Sequence, residues 1–571
     1  MDTTAKAAMQ AKAAMQTAVA KVTAEDQPYA TQTEVIDGVA FTVFANAPRN
    51  LRELYRSGLA HANNDFYVFQ NERFSFQNVW DTAARVANAL EAWGIEPGDR
   101  VGIALRNYPE WILAFMGITS MGAVAVAMNA WWTGAEMAYG VEDSGLKLLF
   151  VDRERCERIE PQAEALGIDL VTVRCETDGH PDTWEHFLAN APTVMPDTDI
   201  AADDNATILY TSGSTAHPKG VLSSHRALVH ALMGWECGGA IAMAMMPELA
   251  KASADPEFEP SVILTVPLFH VSGLNVQMLS AFRPGRKVVG MYKWDVEEAL
   301  RIIEKERITS FSGVPSMAWE LVNAPTYDDY DLASLQSAGG GGAAMAPEQA
   351  KKIEEKVSPG TGWGLTETQG LATSIGGPAF KLRPRSCGAA IPPIVKVKAV
   401  REDGTDAAPL ETGELWIWGV MNFKEYWNMP EATAETLTDG WMHTGDLGHL
   451  DEEGYVFITD REKDLIIRGG ENIGCQEVEA ALYTHPSVSE CAVFSVPDAR
   501  LGETVAAVVM VKPDHELDAD SLRAHAAEHL AKFKIPEYIW IQTDKLPRIA
   551  SEKIYKRGLR EEAIKLLEEN K

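Results

Sequence analysis

The ten residues Tyr210-Thr211-Ser212-Gly213-Ser214-Thr215-Ala216-His217-Pro218-Lys219, closed by Gly220, gather hydroxyls, glycines and one cation in a form suited to holding polyphosphate. Hydroxyl and backbone N–H groups donate to phosphate oxygens, glycine lets the backbone approach closely, and Lys219 adds a mobile positive charge. The spacing is not that of the G-x-x-x-x-G-K-[ST] loop, which removes support for a P-loop kinase or GTPase. Alone, such a run also suits a flexible surface loop, so a nucleotide reading needs partners elsewhere in the chain.

Partners follow in order: Pro267-Leu268-Phe269-His270, then Gly339-Gly340-Gly341-Gly342-Ala343, Trp363-Gly364-Leu365-Thr366-Glu367, Thr444-Gly445-Asp446, Asp460-Arg461-Glu462-Lys463-Asp464 and Pro547-Arg548-Ile549-Ala550-Ser551-Glu552-Lys553-Ile554. A glycine-walled slot facing an aromatic ring suits adenine, and a carboxylate suits the vicinal hydroxyls of ribose because both its oxygens accept hydrogen bonds. In this order, from roughly residue 50 to residue 560, the motifs resemble the adenylate-forming superfamily of acyl-CoA synthetases, peptide-synthetase adenylation domains and firefly luciferase. The resemblance implies that a carboxylic acid is joined to ATP, which brings two anions together and calls for lysines and a metal ion at the α-phosphate.

That resemblance implies a role for each motif. Thr211, Ser212, Gly213, Ser214, Thr215 and Lys219 would cradle the β- and γ-phosphates, and Glu367 would bind Mg²⁺ with Thr366 near the α-phosphate. Gly341, Gly342 and Ala343 would wall one side of the adenine, with Trp363 opposite and Gly364 in the same ATP-binding run. Asp446 and Arg461 would hold the ribose, and His270 would stand at the carboxylate end of the acyl pocket. Lys553 matches the catalytic lysine that reaches the α-phosphate, Lys463 the hinge of a swinging C-terminal domain, and Gly469 and Gly470 the loop lining the pantetheine tunnel. The implied ligands are ATP, CoA, Mg²⁺ and a small-molecule carboxylic acid. Two positions depart from the pattern: Ala216 and Glu552 stand where the family usually has glycine. A carboxylate beside Lys553 is expected to weaken the field it offers an anionic substrate.

Elements of matching type surround the motifs. Apolar runs such as Val101-Gly102-Ile103-Ala104-Leu105 and Leu148-Leu149-Phe150-Val151 alternate with helical stretches such as Trp111 to Met121, which predicts an α/β fold of mainly parallel strands. From Thr412 to Phe457 short strands with glycine turns predict a small β-barrel, and after Lys463 a compact α+β unit is expected. The expected architecture is a large N-terminal domain of α/β subdomains plus a small β-barrel, followed by a small mobile α+β C-terminal domain. Its boundaries are an extension over 1–45 containing the repeat Ala5-Lys6-Ala7-Ala8-Met9-Gln10, the AMP-binding domain over 46–460, and the C-terminal domain over 464–571.

Composition narrows the class. A chain of 571 residues with 46% apolar content supports more than one packed core. A net charge of −31 speaks against nucleic-acid or anionic-membrane partners, since the mean field repels both. ATP and CoA are also anions, so local basic islands must oppose that field. Six cysteines without CxxC or Cys/His spacing speak against zinc and a disulfide framework. No apolar run approaches the roughly 18 to 20 residues of a membrane span, and no signal peptide pattern opens the chain, so a cytoplasmic enzyme is expected. A homodimer is one candidate assembly.

The reading is an ATP-dependent carboxylic acid:CoA ligase that forms an acyl-adenylate and then a thioester. A medium or long aliphatic acid is the expected substrate, because the segment from His230 to Met246 and the residues Val271, Gly273, Leu274, Val314 and Gly339 bring apolar groups and no acidic partner for an amino group. Alternatives are an aryl or polycyclic acid ligase, a stand-alone adenylating or luciferase-like enzyme, and a catalytically impaired binder of nucleotide or acyl-adenylate.

Overall fold

The computed structural model describes residues 3–175, 182–211, 218–246, 256–343, 345–461, 464–468, 471–498, 500–550 and 552–569. Among them, three large sheets carry the fold, together with a two-stranded hairpin near the N-terminus.

The first sheet has seven strands, in the order Glu425–Tyr426, Lys219–Ser224, Asn205–Thr211, Val124–Ala127, Arg100–Ala104, Leu148–Asp152 and Asp169–Val173. Its last five strands are parallel and buried on both faces, which is why they read as continuous apolar runs in the sequence. Helix Pro109–Ser120 is buried around nearly its whole circumference, starting at a proline and ending before Gly122. It crosses helix Phe76–Ala92 at Gly117, where a Cβ would stand 2.4 Å from the Val86 side chain, so only glycine permits that approach.

The second sheet has fourteen strands. Its parallel part runs Asp65–Phe69, Lys287–Gly290, Ser261–Leu264, Ser310–Gly313, Ser337–Gly341, Ser358–Trp363. It then turns antiparallel through Thr373–Gly376, Gly388–Ala390, Tyr455–Arg461, Trp441–Leu450, Gly413–Trp418 and Lys396–Val400. The short strands expected as a small barrel are thus present, and they continue the second sheet through the pairing of Trp363 with Thr373. This continuity carries the Asp446 strand to the edge of the Trp363 strand.

Residues after 464 build the third sheet, Glu471–Ile473, Ile466–Arg468, Gly502–Val511 and Val488–Asp498, with Tyr538–Gln542 paired in parallel to Gly502–Val511. Val478, Leu482, Leu522 and Ala526 from helices Cys475–Tyr483 and Ala519–Ala527 cover one face, while Leu559 and Ala563 of helix Lys556–Glu569 cover the other. The unit has its own two-sided core.

The N-terminal repeat lies in helix Thr3–Val22, consistent with its strong helix formers, and Ala18, Met15, Val19 and Val22 pack it onto the large core. Beneath it lies helix His225–Met245, which corrects one expectation. This 21-residue helix is long and apolar enough, by length and composition, to cross a membrane, although half of its apolar window is buried in the fold. His225, Arg226, His230 and Glu236 interrupt its apolar run, so its length is hidden in the sequence. All six cysteines are free, as expected.

Candidate active site

A cavity of about 400 Å³ opens where the two α/β sheets, the antiparallel strands and the C-terminal unit meet. Thr211, Lys219, His270, Gly341, Gly342, Ala343, Trp363, Gly364, Thr366, Glu367, Asp446 and Lys553 all line it. A larger groove of about 620 Å³ along Val68, Gln70, Tyr292 and Lys305 contains none of them. Several of these residues stand at the carboxyl ends of strands, Thr211, Gly341 and Trp363 as the last residue of theirs, where open α/β sheets place their ligand crevices.

The glycine run has a packing cause beyond room for a ligand. A Cβ on Gly339 would lie 2.0 Å from the Gly360 carbonyl oxygen and one on Gly340 1.7 Å from that of Gly313. The parallel strands therefore admit no side chain there, and Gly342, at φ +82°, turns the chain into the cavity beside the Lys553 ammonium stem.

Across the cavity, Trp363 is buried and its indole Nε1–H donates to Asp446 Oδ2 at 2.8 Å. The Thr444 hydroxyl donates to the Leu415 carbonyl at 2.6 Å and accepts from the Asp446 N–H at 3.0 Å, which fixes the turn that presents the carboxylate. Arg461 stands opposite Asp446 in strand register, and its side chain lies outside the described residues. One carboxylate oxygen is thus held by the indole.

Glu367 is 8% exposed. Its Oε1 accepts from the Tyr426 hydroxyl at 2.7 Å, and its carbonyl accepts from Phe423 N–H at 2.7 Å. The Lys219 ammonium lies 4.5 Å above the Tyr426 ring, a cation–π contact. Burial, followed by the Glu367 charge, pushes the Tyr426 phenol well above its ordinary range, so it remains a donor. Tyr426 thereby ties Lys219 to the buried carboxylate.

His270 keeps an edge toward the cavity while protein surrounds it. Burial, reinforced by the Lys553 charge, pushes its pKa down to about 3, so at neutral pH the ring is uncharged. Ile549, Lys553 and Gln476 are the C-terminal unit's contribution to the cavity wall.

The model of the AMP-binding enzyme family matches residues 54–427, and that of the AMP-binding enzyme C-terminal domain matches residues 477–553. The chain belongs to the AMP-binding enzyme family. It is 33% identical over 531 residues to a long-chain-fatty-acid–CoA ligase of Bacillus subtilis (strain 168), covering 86% of this chain and 91% of the relative. It is also 33% identical over 484 residues to a feruloyl-CoA synthase of an Amycolatopsis species, covering 84% and 91% respectively. Among solved structures, ATP-bound MatB from Rhodopseudomonas palustris superposes with a TM-score of 0.77 at 27% identity, over 90% of this chain and 99% of that one.

Several expected features of this AMP-binding enzyme fall outside the described residues: Ser212, Gly213, Ser214, Thr215, Ala216, Lys463, Gly469 and Gly470. The expected acyl wall is corrected. No residue of the segment 230–246 lines the cavity; its helix is occupied by packing, with Gly234 closing on Leu371 and Ile394. Of the expected acyl-side residues Val271 and Val314 do line it, whereas Gly273, Leu274 and Gly339 do not. Glu552, expected to oppose Lys553, lines a separate cleft with Arg106, Tyr292 and Lys293. It takes φ +64°, the left-handed conformation for which glycine is suited.

Tyr426 stands in none of the motifs legible in the sequence. Its strand Glu425–Tyr426 is two residues long, and only its pairing with Val221 and Leu222 places the phenol at Glu367. No local pattern signals that pairing. A group of metal-type side chains, His525, Glu528 and His529, lies on the C-terminal unit, and none of the three lines the cavity.

Proposed function

We infer that this AMP-binding enzyme is an AMP-forming acyl-CoA synthetase. Its carboxylic acid substrate attacks the α-phosphate of ATP, pyrophosphate leaves, and the CoA thiol then displaces AMP to give the thioester. The observation that carries the reading is the single cavity in which Lys219, Glu367, Trp363 and Asp446 of the large unit face Lys553 of the C-terminal unit. Cations stand where charge is crowded, and the Trp363–Asp446 pair offers a ring face for adenine and a carboxylate for ribose.

Glu367, buried and oriented by Tyr426 with Thr366 beside it, is a donor set that suits Mg²⁺, a hard cation that favours oxygen ligands. Bound there, the ion neutralises triphosphate charge. Neutral His270 can donate a hydrogen bond to the acid without placing a second cation beside Lys553. We assign Lys463 as the hinge and Gly469 and Gly470 to CoA passage from the motifs alone, and a cytoplasmic location from the acidic charge and free thiols.

The substrate we propose is a medium or long aliphatic acid. Val266, Val271, Val314 and Met345 give the cavity wall apolar surface, and the two carboxylates that line it, Glu367 and Asp446, are already engaged by Tyr426 and Trp363. Identity to a feruloyl-CoA synthase equal to that of the long-chain relative keeps an aryl acid as the second reading. Pyrophosphate release across a panel of acids, with and without CoA, tests the whole proposal. CoA-dependent turnover that rises with aliphatic chain length is expected; preference for a cinnamate-type acid would favour the second reading, and the absence of pyrophosphate release with every acid would overturn both.

A further inference from the structure

Lys553 sits on a loop whose two arms are tied together. Arg548 bridges Ile554 in antiparallel register, Ile549 N–H donates to the Lys553 carbonyl at 2.8 Å, and Tyr555 N–H donates to the Pro547 carbonyl at 2.7 Å. The Arg548 guanidinium braces the loop further, donating to the Glu552 carbonyl at 2.8 Å and pairing closely with Glu490 of the third sheet. The same guanidinium crosses to the large unit, donating to Ser316 Oγ at 2.9 Å and standing 3.4 Å from Glu320. Lys545 also reaches Glu320, at 3.1 Å. Both acceptors lie on helix Pro315–Val322, which follows directly on Gly313 and Val314 in the cavity wall.

We propose that Glu320 is a positioning residue: through Arg548 and Lys545 it clamps the Lys553 loop over the cavity for adenylate formation and releases it for thioester formation. The inference rests on the reading of Lys553 given above. Arg548 is attached to the C-terminal unit by Glu490 and to the large unit by Glu320, so the ammonium reaches the cavity in the geometry that Glu320 sets.

The charge arrangement makes the clamp releasable. Three carboxylates, Glu320, Glu490 and Glu552, share Arg548 and Lys545, and burial raises the pKa of both Glu490 and Glu552, with Glu320 adding to each. One buried oxygen of Glu490 has no hydrogen-bond partner. Separating the units removes Glu320 from that crowd. Arg548 keeps Glu490 and the Glu552 carbonyl, and Glu320 keeps the Trp294 indole N–H, 2.9 Å away. Arg548 thus keeps an ion partner, and Glu320, whose side chain is 19% exposed even when docked, keeps a donor, which lowers the usual cost of breaking such a pair.

The test uses the full-length chain with Glu320→Ala and Glu320→Gln, and measures pyrophosphate exchange, thioester formation from supplied acyl-adenylate, and docking by energy transfer between dyes on the two units. Glu320→Ala should lower pyrophosphate exchange by roughly three- to tenfold, leave thioester formation unchanged or faster, and reduce the docked population. Glu320→Gln, which keeps an acceptor for Trp294, should fall between Ala and the native chain and control for misfolding through its melting curve. An unchanged docked population, or equal losses in both half-reactions, overturns the clamp. Lys553→Ala separates the two claims: if it spares pyrophosphate exchange, the reading of Lys553 fails, while the docking signal of Glu320→Ala still judges the clamp.

Discussion

Removing one oxygen atom, in Tyr426→Phe, should expose how Glu367 is held. The ring and its contact with Lys219 remain, so the change is confined to the donor 2.7 Å from Glu367 Oε1. Glu367 is buried, and water reaches that oxygen poorly. A hydrogen bond to a charged group contributes about 1.5 to 3 kcal/mol, which corresponds to roughly ten- to 150-fold in a rate that depends on the carboxylate's position. The assay is ATP–pyrophosphate exchange at saturating acid, titrated with Mg²⁺, alongside calorimetric binding of MgATP. A weaker apparent Mg²⁺ dependence constant and weaker MgATP binding are expected, with thioester formation from supplied acyl-adenylate preserved. If melting temperature falls while Mg²⁺ dependence and MgATP affinity stay native, Tyr426 only supports packing and the assignment of Glu367 is refuted.

Trp363→Phe keeps an aromatic face but removes the donor to Asp446, so the KM for ATP should rise on the order of tenfold with the KM for the acid unchanged; a matching rise for the acid would show general damage. Acid should destabilise the fold through His225 and His230, whose pKa values burial lowers to about 3 and about 4. Each has only one ring nitrogen partnered, so the native state refuses the proton that the unfolded state accepts below about pH 6.5. The stability they permit is complete above that pH and is lost as pH falls toward 4 and then 3. At pH 5 the loss is about 2 kcal/mol for each, and a His230→Gln chain should show a flatter decline in melting temperature between pH 7 and 5; an identical slope would contradict the assignment. Glu552→Gly relieves a left-handed backbone of about 1 kcal/mol, so melting temperature should hold or rise with pyrophosphate exchange maintained; a fall in exchange would show that the Glu552 side chain itself positions Lys553.

The amino-acid sequence makes the residues proposed for the chemistry legible without the fold. Phosphate-loop hydroxyls, the glycine run, Trp363, Glu367, Asp446 and Lys553 stand in short contiguous motifs, and short motifs survive without knowledge of what they touch. It also determined the parallel α/β layers, since strands buried on both faces must be apolar at every position. Tertiary structure decided the couplings. Tyr426 and Glu367 are 59 residues apart, Trp363 and Asp446 83, and Arg548 and Glu320 228, so each hydrogen bond exists only after two separate strands or units have docked. It likewise decided that helix His225–Met245 packs against the first helix instead of lining the cavity. An apolar helical face specifies that it must be covered; which surface covers it depends on the whole arrangement of neighbours, because hydrophobic burial carries no direction of its own.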